Sequence, residues 1–232
     1  YGFGVSVDLS ILSIPILTVP RTPYSHGSAA PAYDDVDNVL SLSAGVPLLA
    51  SLSTGVLNSE ASSDVDNGVG SRTTMGTALV NDLDLTLLPA LIGPPVVQVS
   101  ADTIGATSNV VGDYQSMDPS GSMILENLAI SVAGIGLTID PNPAPNTVLI
   151  DAAGVKIVLN EQTTTDTDTV ADQTTNAIHI TLTEVSSQLG LVSGDVIISG
   201  SHAHMEGAVP EPASFLALGG LAAGFFLRKR RR

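Results

Sequence analysis

The chain has no cysteine and no tryptophan, and aromatic residues make up 3% of its 232 residues. The first absence removes disulfides, thiolate metal sites, thiol nucleophiles and redox chemistry, while leaving export open. The second means that the core has to be assembled from Val, Ile, Leu and Ala. Cations are almost as scarce. Five of the eight Lys and Arg are the last five residues, so everything before Arg228 holds only Arg21, Arg72 and Lys156 against 23 acids, a balance of −20. A body that acidic repels nucleic acid. There is no N-x-[ST] sequon, no G-x-S-x-G elbow and no Gly-rich phosphate loop leading into a helix.

Hydrophobic residues make up 44% of the chain and charged ones 13%. That is enough apolar material for a real core, in one domain of ordinary size or two small ones. The chain starts at Tyr1, and no basic n-region or apolar h-region precedes the first strand-like segment. This reads as a mature form whose signal peptide has been removed, or as a boundary within a longer chain.

Period-two alternation is the dominant pattern. Phe3, Val5, Val7, Leu9 and Ile11 alternate with small or polar residues, and Pro15 assigns the following run, to Val19, to a sheet edge or strand end. Strands are expected within Val39–Leu57, Thr77–Ile92, Val96–Ile104 and Met123–Ile139, then around Val155–Leu159, Ile178–Leu182 and Val196–Ile198. Loops are expected over Arg21–Asp37, Asn58–Thr74, Asp140–Asn146 with its three prolines, and Thr163–Thr175, a Thr-rich stretch that could carry O-linked sugar. Short strands between turns, without helical periodicity before Pro210, predict an all-β fold of sandwich-like or layered antiparallel sheets, followed by a single C-terminal transmembrane helix. The expected organisation is an extracellular domain over 1–203, a linker over 204–209, and a separate segment over 210–232.

That last segment has three parts. Pro210-Glu211-Pro212 is followed by fifteen uncharged, mostly apolar residues, Ala213 to Leu227, and then by Arg228, Lys229, Arg230, Arg231 and Arg232. A helix over 213–227 would span about 22 Å, short of the roughly 30 Å hydrocarbon core. Snorkelling cations and local thinning relieve the shortfall. The basic block acts as a stop-transfer sequence and stays cytoplasmic, placing the acidic body outside. The prolines start the helix near Ala213 and leave Glu211 by its N-terminus, where a carboxylate is favoured.

The order of tripeptide, apolar run and basic end resembles the PEP-CTERM sorting signal of Gram-negative bacteria. The resemblance implies recognition by a membrane-embedded exosortase, cleavage near 210–213, and delivery to the envelope or extracellular matrix, often among exopolysaccharides. The body is similar, in the segments YGFGVSVDL, PNPAPNTVLIDAAGVKIVLNEQ and AIHITLTEVSSQLGLVSGDVIISGSHA, to the choice-of-anchor P family of surface domains. That resemblance implies location and fold but no chemistry.

Candidate sites are few. Asp64-Val65-Asp66-Asn67-Gly68 opens like a calcium loop, but Gly68 falls one place early and position 12 is Met75, so the EF-hand pattern fails. A looser calcium site would use Asp34, Asp35, Asp37, Asp64 and Asp66, against the alternative of a solvated acidic loop. Asp166 and Asp168 are more ordinary still. His202 and His204 face one side of a strand and could begin a zinc site, with His179, Glu184 or Glu206 as third ligand, against the alternative of exposed polar residues. Glu161 and Glu184 could form a carboxylate pair for sugar hydrolysis, but such clefts are lined with rings, and four Tyr, four Phe and no Trp argue against it. No catalytic residue and no cofactor is expected. The leading expectation is a non-enzymatic envelope or matrix protein with structural, adhesive or exopolysaccharide-associated function. A calcium-stabilised extracellular binding module comes second, and a hydrolase of unrecognised type third.

Overall fold

The computed structural model describes residues 1–66, 70–90, 93–113 and 116–207. Fifteen strands run through them: β1 (Gly2–Ile11), β2 (Ile14–Ser25), β3 (Tyr33–Val39), β4 (Leu42–Val46), β5 (Ala50–Thr54), β6 (Leu57–Ser63), β7 (Arg72–Leu87), β8 (Val97–Asp113), β9 (Ser116–Glu126), β10 (Ala129–Val132), β11 (Ile135–Gly136), β12 (Thr147–Ala152), β13 (Val155–Asp166), β14 (Val170–Ser187) and β15 (Gly190–Glu206). No helix occurs among the described residues. The apolar run 213–227 and its flanking motifs lie outside them.

The strands form two antiparallel sheets. One has the order β12-β13-β14-β15-β1-β2. The other is built on the long β7–β8 hairpin. β7 pairs with β5 along one half and β6 along the other, and β8 pairs likewise with β10 and β9. Prolines guard the exposed edges, as expected for strands that cannot offer a full row of donors. Pro15, Pro20 and Pro23 lie on the edge strand β2, and Pro119 lies on β9.

The expected strands are present but longer than alternation suggested, and three expected loops are largely strand. Arg21–Asp37 is mostly β2 and β3, with only residues 26–32 between them. Asn58–Thr74 holds most of β6 and the start of β7, and Thr163–Thr175 is a hairpin whose turn is residues 167–169. The cause is the same in each. Polar side chains on the outer face of a sheet read as loop, while their backbones pair fully, as in Thr163↔Thr174 and Ser62↔Met75. The Asp140–Asn146 loop stands as expected. β15 continues to Glu206, and the Gly207 amide donates to the Thr169 carbonyl at 2.8 Å. The linker expected over 204–209 is therefore strand as far as Glu206.

The core between the sheets has two characters. Toward the turns at one end it is aliphatic: Leu9, Leu52, Leu85, Val99, Ile157, Ile180, Leu182 and Val196 are buried there in one cluster. Toward the end carrying Gly207 the sheets close on small and polar groups. Ser108 Oγ lies 2.9 Å from Ser201 Oγ and 3.0 Å from Thr175 Oγ1, and Ser199 Oγ donates to the Ala78 carbonyl at 2.9 Å. Two glycines make that approach possible. A Cβ on Gly2 would collide with the Thr77 carbonyl, and one on Gly76 with the carbonyls of Tyr1 and His202.

A side chain at Gly76 must therefore push the sheets apart. Gly76→Ala should lower stability by roughly 1–3 kcal/mol, as overpacking does. Gly136→Ala, where an added Cβ meets nothing within 4 Å, should stay within about 0.5 kcal/mol of the parent. Urea unfolding midpoints check this, and equal midpoints for the two variants would refute the close-packed seam.

Candidate functional site

Two backbone irregularities decide what the outer face of the six-stranded sheet displays. Asn160 and Ser199 have φ of +52° and +55°, and the pairing skips both positions. On β15 the inward side chains are Val196 and Ile198 before the irregularity and Ser201, Ala203 and Met205 after it. His202 and His204 are thereby turned outward. The same alternation on β14 turns out Asp172, Thr174, His179 and Thr181 opposite buried Ala171, Gln173, Thr175, Ile178 and Ile180.

The first group on this face is a stack of rings. Tyr1 packs on His202 with centroids 4.8 Å apart and planes 18° apart, and His202 is parallel to His204 at 6.3 Å. Tyr24 stacks on His26 at 4.8 Å. The Arg21 guanidinium lies over Tyr1, Phe3 and Tyr24 at 4.4, 4.9 and 5.7 Å, a favourable arrangement for a cation on π faces. Asp172 Oδ2 reaches both imidazoles, 2.9 Å from His202 Nε2 and 3.1 Å from His204 Nδ1, and Glu206 Oε1 is 3.4 Å from His204 Nε2. Beside the stack opens a groove of about 680 Å³ bounded by Tyr1, Tyr24, His26, Tyr33, His202 and His204. Burial, and then the Asp35 carboxylate, raise the Tyr33 hydroxyl above its ordinary pKa.

The second group spans three strands. His179 on β14 points Nδ1 at Glu161 Oε2 of β13, 2.9 Å away, and Nε2 at Asp195 Oδ1 of β15, 3.0 Å away. Asn176 also donates to Glu161 Oε2, and Thr181 to Asp195 Oδ1. The hydrogen bond to Glu161 is the main cause holding the His179 pKa above its ordinary value, with Asp195 adding to it. The same bond is the main cause holding Glu161 low, helped by Asn176 and by the charge of Lys156.

The residues expected to bind calcium do not converge. Asp35 Oδ2 accepts from the His26 amide, Asp37 Oδ2 from the Tyr24 amide and Asp64 Oδ1 from the Thr73 amide, while Asp66 takes the Arg72 guanidinium at 2.8 Å. Asp34 lies on β3 opposite Ser62. Asp166 ends β13 and Asp168 lies in the β13–β14 turn. His202 and His204 share a face as expected, but of the three proposed third ligands only Glu206 is near. His202 pairs with Thr174, so His179 lies five residues and about 17 Å along β14, and Glu184 ten residues and about 33 Å. Among the described residues no three His, Asp or Glu are placed to hold a metal ion. Glu161 is opposite Asn176, about 26 Å along β14 from Glu184, so those two are no carboxylate pair. Pro210, Glu211, Pro212 and Arg228 to Arg232 lie outside the described residues.

Asp172, Arg21, Tyr24, His26 and Asp195 escaped the sequence reading. The available signal was the scarcity of rings itself. Between Tyr1 and Gly207 there are five Tyr and Phe, and four of them, Tyr1, Phe3, Tyr24 and Tyr33, gather here with three of the four His.

Residues 208–232 match the PEP-CTERM protein-sorting motif. No curated protein and no solved structure matches the chain. The choice-of-anchor P resemblance of the body thus rests on its own segments alone. The matched motif is the mark of an exported protein that is membrane-anchored as a precursor and passed to an exosortase.

The His179 cluster makes stability depend on pH with a defined sign. His179 has its folded pKa raised above 6.5, so its contribution is complete below that value and is lost as pH rises through the folded pKa. Glu161 has its folded pKa lowered below 4.5, so its contribution is complete above that value and is lost as pH falls through the folded pKa. The cluster therefore stabilises most between about pH 4.5 and 6.5. The melting temperature of the parent should fall relative to His179→Gln as pH is raised from 6 to 8. A constant difference across that range would refute the bridging role.

Proposed function

We propose that this is a non-enzymatic surface protein, exported, sorted by an exosortase and placed among extracellular polysaccharides, where it acts structurally or adhesively. The observation that carries the reading is the PEP-CTERM motif beginning at residue 208, immediately after Gly207, whose amide is still bound to the all-β body. In the sequence, the Pro210-Glu211-Pro212 tripeptide follows Gly207 after two residues. The choice-of-anchor P resemblance agrees with a body that is delivered by its tail.

The side chains support the absence of catalysis. The nearest approach to a hydroxyl–imidazole–carboxylate relay is Thr181, His179 and Glu161, with Thr181 Oγ1 3.5 Å from His179 Nε2. Asp195 intercepts it, because its Oδ1 takes both the Thr181 proton and the Nε2 edge of the ring. An imidazole held between two carboxylates is kept protonated and is a poor base.

In the native host, the protein should be recovered from the surface or matrix fraction with an intact mass that lacks Phe225, Phe226 and the basic end. Replacing Pro210, Glu211 and Pro212 by alanine should leave the full-length chain in the inner membrane. A parent protein that keeps its tail, or a triple variant processed like the parent, would overturn the sorting reading.

A further inference from the structure

We propose that the groove between Tyr1, Tyr24, His26, Tyr33, His202 and His204 is a binding site for an uncharged polysaccharide chain. The inference rests on the polysaccharide association proposed above and supplies its site and ligand class. The first argument is distribution. Neither buried cluster of the core contains a ring: one is aliphatic, and the other is Val110, Met117, Ala171, Ala203 and Met205. Packing of those clusters therefore does not explain why three of the four Tyr, and three of the four His, line one groove, with Phe3 buried beside Tyr1. Rings at a surface offer flat apolar area at low entropic cost, with a polar tip at one end. That matches a pyranose, which has an apolar C–H face and a rim of hydroxyls.

The second argument is the polar inventory. Arg21 is exposed and makes no hydrogen bond or ion pair among the described residues, although the chain carries 23 acids. Its guanidinium is held over three rings, which leaves its N–H donors available to oxygen acceptors. Asp172 and Glu206 supply acceptors beside His202 and His204. The raised pKa of the Tyr33 hydroxyl keeps it a donor at neutral pH. The groove thus presents the Tyr33 hydroxyl, three imidazoles and the Glu206 carboxylate, with Arg21 and Asp172 held against its rings, so donors and acceptors are both at hand for hydroxyls. A cavity of about 680 Å³ is of the size that admits a small molecule or a few linked units.

Charge selects the class. Three cations face 23 acids before Arg228; Glu206 lines the groove, Asp172 holds the His202 and His204 imidazoles, and Asp35 accepts from the His26 backbone amide. A polyanionic glycan meets a repulsive field on approach, whereas an uncharged one meets none.

The test is affinity electrophoresis of the full chain in a detergent without a sugar headgroup, through gels containing dextran, galactomannan or alginate. The parent should be retarded by an uncharged polymer and not by alginate. Tyr24→Ala and His204→Ala should each weaken retardation about tenfold. His179→Gln, in the separate cluster, should migrate like the parent. Circular dichroism of each variant confirms that the fold is kept, and Tyr24→Phe, which keeps the ring, should retain binding. If the parent is retarded but Tyr24→Ala and His204→Ala are retarded equally, the groove is not the site, although polysaccharide association stands. Retardation by alginate alone overturns the ligand class. No retardation by any polymer overturns the polysaccharide association and this inference together.

Discussion

Two backbones come into contact where Gly2 and Gly76 bridge the gap between the sheets, and the organisation of that end of the molecule depends on it. With a side chain at either position the carbonyls of Thr77, Tyr1 and His202 would have to move. The groups that fill the gap beside these glycines are small, and polar enough to need partners. Ser108, Thr175, Ser199 and Ser201 supply one another's hydrogen bonds or reach the Ala78 carbonyl, so little polar surface is buried unpaired. Beyond them the interior widens again to take Val110, Met117 and Met205.

The irregularities at Asn160 and Ser199 are the means by which one strand serves both regimes. A strand with strict alternation would keep the parity of Ile180 and Ile198 along its full length and would point the imidazoles into the narrow end. A skipped position reverses the parity once. The aliphatic half keeps Val196 and Ile198 inward, and the other half turns Ser201 and Ala203 inward instead. Residues with positive φ cost conformational energy unless the surroundings fix them. Here Asn160 is fixed by its side-chain amide, which donates to the Pro143 carbonyl at 2.9 Å and thereby also ties down the Asp140–Asn146 loop.

The same irregularities explain what could be read in the sequence. Val155, Ile157 and Leu159, and Ile178, Ile180 and Leu182, announced their strands because all of them face the aliphatic half of the core. Beyond Leu159 the inward residues are small or polar, and Gln162 to Thr165 look like a loop although each is paired. Asp172 belonged to a stretch dismissed for its Thr and Asp content, so its place between His202 and His204 was hidden. The fold class was legible, since alternation survives any local reversal. The groove was not, because Tyr1, Tyr24 and His202 come from three strands whose adjacency depends on the order β15-β1-β2, and nothing local encodes that order. The few rings weighed against a glycosidase cleft, yet their collection at one place is a property of topology and not of composition.

The position of β15 links the fold to its export. The strand that leads into the sorting motif is central, hydrogen-bonded to β14 on one side and to β1 on the other. Its last paired residue, Glu206, is opposite Val170, and the Gly207 amide is still bound to Thr169. An edge strand in that place would peel away under tension from a membrane-held tail, because one row of bonds breaks at a time. Residues 203–206 of β15 are paired to β14 alone, and from His202 and Ser201 inward β1 holds the strand as well, so tension on the tail meets a second row of bonds there. No core residue lies beyond Met205 among the described residues. The described interior thus ends two residues before Gly207, and the last side chains that enter it from β15 are Ala203 and Met205.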